Sequence, residues 1–291
     1  MLLDMKLKAY FVKDWHDSLK DILVNHWGID ISKVDEKDLP IVYFNAQQRR
    51  IDQRPRKIEM SDDFQCPVEL QEGWNKIQRQ IYNGDDITPH LSKFVKDSDK
   101  KDEMLNDFGV HHFHLGTELK GDFIKRTKPL LFALVTNECL HAIKIYEHGQ
   151  WTNSEIVEVI HRNWPDVIKK HIINGDHHKS NITDSERMIL RGNNCNAFLT
   201  VSDGTTYAPI GGGVMGSGHN IQSIIEMDKQ HVFLETLQNS LESQLVNIRP
   251  DLKKQGYNDE DELIAKLVIT KTEYRAYFPK YLLEVILHIK S

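Results

Sequence analysis

With 291 residues the chain is long enough for one large domain or two ordinary ones. Its 40% apolar and 27% charged residues are the composition of a globular protein. The net charge of −6 argues against a general nucleic-acid coat, which would need a basic stripe, but leaves room for a local basic patch.

Three cysteines (Cys66, Cys139 and Cys195) without a CxxC pair argue against a disulfide framework or a cysteine-only zinc site. The run MLLDMKLKAYFVKDW has no secretory pattern, and no window approaches 18 apolar residues. The expectation is a cytoplasmic protein without a membrane span. In chain order, a short strand covers Leu7 to Val12, followed by a helix with Leu19, Ile22, Leu23, His26 and Trp27 on one stripe. LPIVYF reads as a buried strand. A helix around Trp74 to Ile81 breaks at Asn83-Gly84. The charge run KDSDKKDE (96–103) reads as a solvated turn and linker. HHFHL is a strand, and Leu130 to Val135 with Leu140 to Glu147 makes an antiparallel hairpin. Thr152 and Glu155 have capping-box spacing before an amphipathic helix. Residues 174–185, including His177 and His178, read as a loop. Ala197 to Val201 and Thr205 to Ile210 are strands around Asp203-Gly204. A long helix runs from about 219 to 247 and stops at Pro250. The expected fold is α+β, a central, mostly antiparallel sheet flanked by helices. An N-terminal region (1–100) would precede the central sheet region (101–291), the two forming separate units or one continuous domain.

The segment His111-His112-Phe113-His114-Leu115-Gly116 concentrates three of the fifteen histidines. Side chains alternate along a strand, so His112 and His114 share one face and His111, Phe113 and Leu115 the other. Imidazoles side by side near neutral pH suit proton transfer or metal ligation. The strand from Ala142 to His148 adds Lys144, Tyr146 and His148 on one face. Beside the histidine strand, or one strand away, these five polar residues form an acid–base set with a cation for a developing oxyanion. Metal ligation by the HxH pair needs a third ligand, for which His141, His148, His90 and the 177–178 pair are candidates. The expectation is no metal and no cofactor. A glycine-rich loop (Gly211, Gly212, Gly213, Gly216, Ser217 and Gly218) lies between a strand and the long helix, where backbone N–H groups can hold a phosphate. It is neither a Walker A loop nor a dinucleotide fingerprint. Arg49, Arg50, Arg54 and Arg56, with Lys57, form the obvious basic patch; Arg54 and Arg56 are further phosphate ligands.

HHFHLG, then LLFALV, then AIKIYEHG, over about residues 110–151, resembles the core of the small RNA-cleaving toxins of the barnase–colicin–RelE structural group. The resemblance covers about a seventh of the chain and rests on loose motifs; the greater length and the acidic balance depart from the group. It implies a curved antiparallel sheet and metal-independent phosphodiester chemistry. It further implies RNA or a nucleotide as substrate, His112 and His114 as acid and base, and Lys144 or an arginine on the phosphorane. A toxin or phage-defence effector with an inhibitory protein partner is the matching role. A metal-dependent hydrolase using the HxH pair is one alternative. A non-enzymatic nucleotide-sensing or partner-binding regulator is another.

Overall fold

The structure is a computed structural model that describes residues 6–174 and 182–290. The fold is α+β. The chain divides into two compact units, residues 1–40 with 225–291, and residues 41–224. The boundary expected near residue 100 falls inside the second unit. Among the described residues no helix is long and apolar enough to cross a membrane.

In chain order the elements begin with β1 (Leu7–Ala9), α1 (Phe11–Asp21), α2 (Leu39–Gln48), β2 (Lys57–Met60), α3 (Gln71–Asn83) and α4 (Glu103–Phe108). Then come β3 (Val110–His114), β4 (Leu119–Lys120), β5 (Phe123–Ile124), β6 (Leu130–Val135) and β7 (Cys139–Tyr146). Helices α5 (Glu155–Asn163), α6 (Pro165–Ile168) and α7 (Asp184–Gly192) precede β8 (Leu199–Thr200) and β9 (Thr206–Tyr207). Helix α8 (Ile221–Lys254) and strands β10 (Leu263–Ile269), β11 (Glu273–Phe278) and β12 (Leu283–Ile289) complete the chain.

The unit formed by the two chain ends has a four-stranded sheet in the order β1-β10-β11-β12. Its first pair is parallel and the others are antiparallel. Helix α1 packs on β10 and buries Phe11, Trp15 and Leu19. Helix α8 continues through Pro250 to Lys254 rather than stopping at the proline.

The central unit is built on the sheet β2-β7-β6-β3, in which only the β2–β7 pair is parallel. Strand β3 is therefore an edge. Its register sets His112 opposite Phe132 and His114 opposite Leu130. Phe132 and Leu130 in turn lie opposite Lys144 and Tyr146 on β7. One sheet face, with Leu130, Phe132 and Tyr146, packs with the Ile156, Val157, Val159 and Ile160 stripe of α5. Phe113, Leu115, Leu131, Ala133 and Leu140 on the other face pack with Trp74, Ile77 and Ile81 of α3. Gly73 lets α3 come this close: a Cβ there would lie 1.7 Å from the Leu115 carbonyl oxygen. A bulge in β7 leaves Ile143 without a partner, between Ala142 opposite Ala133 and Lys144 opposite Phe132. Ile143 therefore joins the α5 side of the core, while Ile145 packs on the α3 side.

Two local expectations differ from the structure. LPIVYF belongs to α2, with Leu39, Ile41, Val42 and Ala46 buried; a short apolar run satisfies strand and helix alike, and Pro40 suits a first helical turn. The capping box forms at Thr183 and Glu186, opening α7. At α5 the N-cap is Ser154, without a side-chain cap, so Thr152 makes no capping box there. His177 and His178 lie outside the described residues.

Candidate functional site

A cleft of about 690 Å³ wraps the β3 edge. His111, His112, His114 and His148 all line it. Its walls carry the cations Arg49, Lys100, Lys101, Arg126, Lys128 and Arg191 against two carboxylates, Asp102 and Glu103. An acidic chain has here concentrated positive charge beside imidazoles.

The histidines arrive from both sheet faces because β3 is an edge strand. Phe113 and Leu115 are buried in the core, as the alternation predicts. His112 packs against Trp151, ring centroids 4.9 Å apart, and His148 meets the same indole at 5.0 Å. Trp151 itself stacks on Phe132 at 5.4 Å. The indole thus brings a strand histidine and a loop histidine to one wall. Behind it, Arg191 donates to the Trp151 carbonyl oxygen and to Asp107, at 2.8 Å for the latter. Arg187 also binds Asp107 at 2.8 Å. Both arginines are buried, so this shared carboxylate fixes α7 behind the site.

Thr127 fastens the other wall. Its N–H donates to His114 Nδ1 at 3.3 Å, its hydroxyl accepts from Leu115 N at 3.2 Å, and it donates to the Pro129 carbonyl at 2.8 Å. A ring nitrogen that accepts carries no proton, so His114 is held neutral with its N–H at Nε2. Arg126 and Lys128 flank this anchored threonine. Both are exposed, and neither has a hydrogen-bond or ion-pair partner among the described residues. Lys100 lies over the Phe94 ring at 5.2 Å. Arg49 donates to the Phe94 and Asp97 carbonyls at 2.9 and 2.8 Å and supports the wall. Asp102 caps α4 through Leu105 N at 3.0 Å.

Burial pushes the strand imidazoles below their ordinary range. His111 falls to about 4, burial outweighing Asp102 and the Gln48 carbonyl bonded to its Nε2 at 3.2 Å. His114 also falls to about 4, through burial and then the neighbouring His112 and Arg126. His112 is lowered by burial, against the opposing pull of Asp102, and further by His148, Arg126 and Lys100. Its Nδ1 is buried without a hydrogen-bond partner. At neutral pH these groups are uncharged, and an arriving anion draws protons onto them.

Other expected site residues stand elsewhere. Lys144 and Tyr146 do share the sheet face of His112 and His114, but β6 intervenes with Leu130 and Phe132. Neither lines the cleft. Lys144 is held by Asp63 at 2.7 Å and Glu155 at 2.6 Å, which raise its pKa. Burial and Glu155 hold the Tyr146 phenol well above its usual range. Arg54 pairs with Asp52, and the buried Arg56 binds Asp52 and the Thr136 carbonyl, both away from the cleft.

The glycine-rich loop also lies off the cleft, and six of its amides, those of residues 211–215 and 218, are already bonded within the protein. Gly211 N donates to the Asp107 carbonyl, Gly212 N to Pro209, Gly213 N to Asn106 and Gly218 N to Met215, at 2.7–3.1 Å. Val214 N donates to Asn196 Oδ1. Asn220 caps α8, its Oδ1 accepting from Gln222 N at 2.7 Å and Ser223 N at 3.3 Å. Gly211 is needed for packing, since a Cβ there would meet the Leu105 carbonyl oxygen at 1.8 Å. Gly216 and Ser217 belong to the same turn, where the Ser217 carbonyl accepts from Lys101 at 2.7 Å.

Among the described residues, the one group of three His, Cys, Asp or Glu side chains with ligand atoms gathered as a metal would need is Glu59, Cys139 and His141. The HxH pair does not gain a third ligand from His90, which is buried and bonded to the His114 carbonyl at 2.7 Å and to Gln80 at 2.8 Å. Sequence reasoning missed Arg126, Lys128 and Trp151, and took Lys100 to Glu103 for a linker. The signal available was a pair of cations around Thr127 immediately before a strand that neighbours the histidines. No protein-family model, no curated protein sequence and no solved structure matches the chain.

Proposed function

We propose that the central unit binds a single-stranded RNA phosphodiester in the β3 cleft and cleaves it with imidazoles and cations. The observation that supports this reading is the meeting of His112, His114 and His148 with two exposed cations, Arg126 and Lys128, in one concavity. Arg126 and Lys128 neutralise the phosphoryl oxygens, and His114 offers its Nε2–H as a donor to the charge that develops there. His112 and His148, held by Trp151, serve as the acid–base pair. The ribose 2′-hydroxyl forms the new bond to phosphorus and gives its proton to one imidazole. The bond from phosphorus to the 5′-oxygen breaks, and that oxygen takes a proton from the other. The products are a 2′,3′-cyclic phosphate end and a 5′-hydroxyl end. Arg126 and Lys128 thereby replace Lys144 in the role that the sequence suggested.

A second reading has its own observation. Strand imidazoles held neutral are weak acids, and a volume near 690 Å³ suits one nucleotide. A sensor that binds a nucleotide without turnover fits that pair of facts. The test uses end-labelled single-stranded RNA in excess EDTA. Cyclic-phosphate ends that vanish when the substrate is 2′-deoxy at the cleaved position support the nuclease. Nucleotide-induced thermal stabilisation without any cleavage supports the sensor and overturns the nuclease.

A further inference from the structure

The parallel pair β2–β7 places three different donor atoms together. Register sets Lys57 opposite Cys139 and Glu59 opposite His141. Cys139 and His141 are two residues apart on β7 and so share a face, and Glu59 joins them from β2. The Cys139 sulfur, one His141 nitrogen and one Glu59 oxygen all lie within 4.8 Å of one another. Cys139 and His141 are 7% and 4% exposed, while Glu59 reaches solvent.

The arrangement leaves an unmet need. His141 Nδ1 is buried and has no aligned hydrogen-bond partner, although Glu59 Oε2 is only 3.2 Å away. A carboxylate and an imidazole nitrogen so placed can share a proton or a metal cation, and the Cys139 sulfur within 4.8 Å of both favours the metal. Trp164, with its ring centroid 4.9 Å from that of His141, backs the imidazole from the helical side. Sulfur, nitrogen and oxygen donors together suit a borderline metal, and three protein ligands leave a fourth position for solvent. Ligand bonds of about 2.0–2.3 Å require the three donors to draw in by only about 1 Å.

We infer that Glu59, Cys139 and His141 form a mononuclear site for a zinc-type divalent cation, a site separate from the β3 cleft. Strand β6 separates β7 from β3, so the strands that carry the two sites stand roughly 10 Å apart at sheet spacing, and the sites are offset along them as well. The inference does not depend on the nuclease reading, and its test involves no turnover. The bound cation ties the edge strand β2 to β7.

The probe is Co²⁺, added to full-length protein lacking any affinity tag, with zinc as competitor. The expected result is one equivalent bound with a thiolate-to-cobalt charge-transfer band, displaced by Zn²⁺. Cys139→Ser loses the band. Glu59→Ala, a change at an exposed side chain that leaves the fold intact, weakens binding by about tenfold or more, at least the scale on which supporting residues act. A folded wild-type protein without the band overturns the inference. So does a band that survives in Cys139→Ser, which would assign the thiolate to Cys66 or Cys195, or binding that Glu59→Ala leaves unchanged.

Discussion

The β3 cleft and the glycine-rich loop were the two strongest signals in the sequence, and they differ in what they have left to offer. In the loop, amides 211–215 and 218 already donate within the protein, and Asn220 caps the helix beyond. In the cleft, Arg126 and Lys128 have no hydrogen-bond or ion-pair partner among the described residues, and His112 keeps a buried Nδ1 without one. A motif binds a ligand with the groups that folding leaves unsatisfied. Glycines that look permissive in sequence serve here to let backbones touch.

The comparison is broken most easily at the histidines. His112→Ala is expected to lower RNA cleavage by about 10²–10⁴-fold, the range for losing an acid or base, with melting temperature recorded alongside. Lys144→Ala is expected to leave kcat near wild type, because its charge is committed to Asp63 and Glu155. Equal losses in both variants would return Lys144 to the site.

The loop is tested by Gly211→Ala. Its new Cβ meets the Leu105 carbonyl oxygen, which cannot rotate away. We expect a stability loss of about 3 kcal/mol in chemical denaturation, with phosphate-ligand affinity unchanged in the protein that remains folded. A folded, stable variant with weak binding would favour the loop as an anion site.

Acidity probes the cleft imidazoles. His114 falls to about 4 in the folded state against an ordinary 6.5, so the unfolded chain binds more protons between those values. Stability is therefore complete above about pH 6.5 and declines as pH falls toward 4, by up to about 3 kcal/mol for this group. Removing the histidine in His114→Gln should flatten that segment of the stability–pH curve. Anion binding runs the opposite way. A bound phosphate raises the imidazole pKa, so affinity for a short RNA should increase as pH drops from 7 to 5, measured by fluorescence anisotropy.

The smallest effect belongs to the exposed cations. Arg126→Ala and Lys128→Ala should each weaken RNA binding by about 1 kcal/mol and reduce the slope of log affinity against log salt by about 1. An unchanged slope would remove that residue from the phosphate path.

Much of the central sheet was legible because its signals are local. The 130–135 and 139–146 hairpin, the alternation around Phe113 and the Asn83-Gly84 stop each follow from period or backbone geometry. LPIVYF failed because a buried six-residue apolar run has no period to read. The β7 bulge was invisible because nothing in AIKIYE marks an extra residue. The site was half legible: the alternation grouped His112 with His114 and placed Lys144, Tyr146 and His148 on a common face. It could not show that Asp63, 81 residues away, would claim Lys144, or that β3 would be an edge open to Arg126. Such pairings depend on tertiary neighbours, and the two cations of RTK at 126–128 gain their meaning only when β6 is paired with β3.

The most direct test of where phosphate binds is an NMR titration with a short single-stranded RNA in EDTA, made at pH 7 on protein labelled at histidine ring and backbone nitrogens. We predict that the His112, His114 and His148 ring signals shift while the amides of residues 211–218 stay still. Shifts confined to the 211–218 amides, with the imidazoles unmoved, would contradict the account.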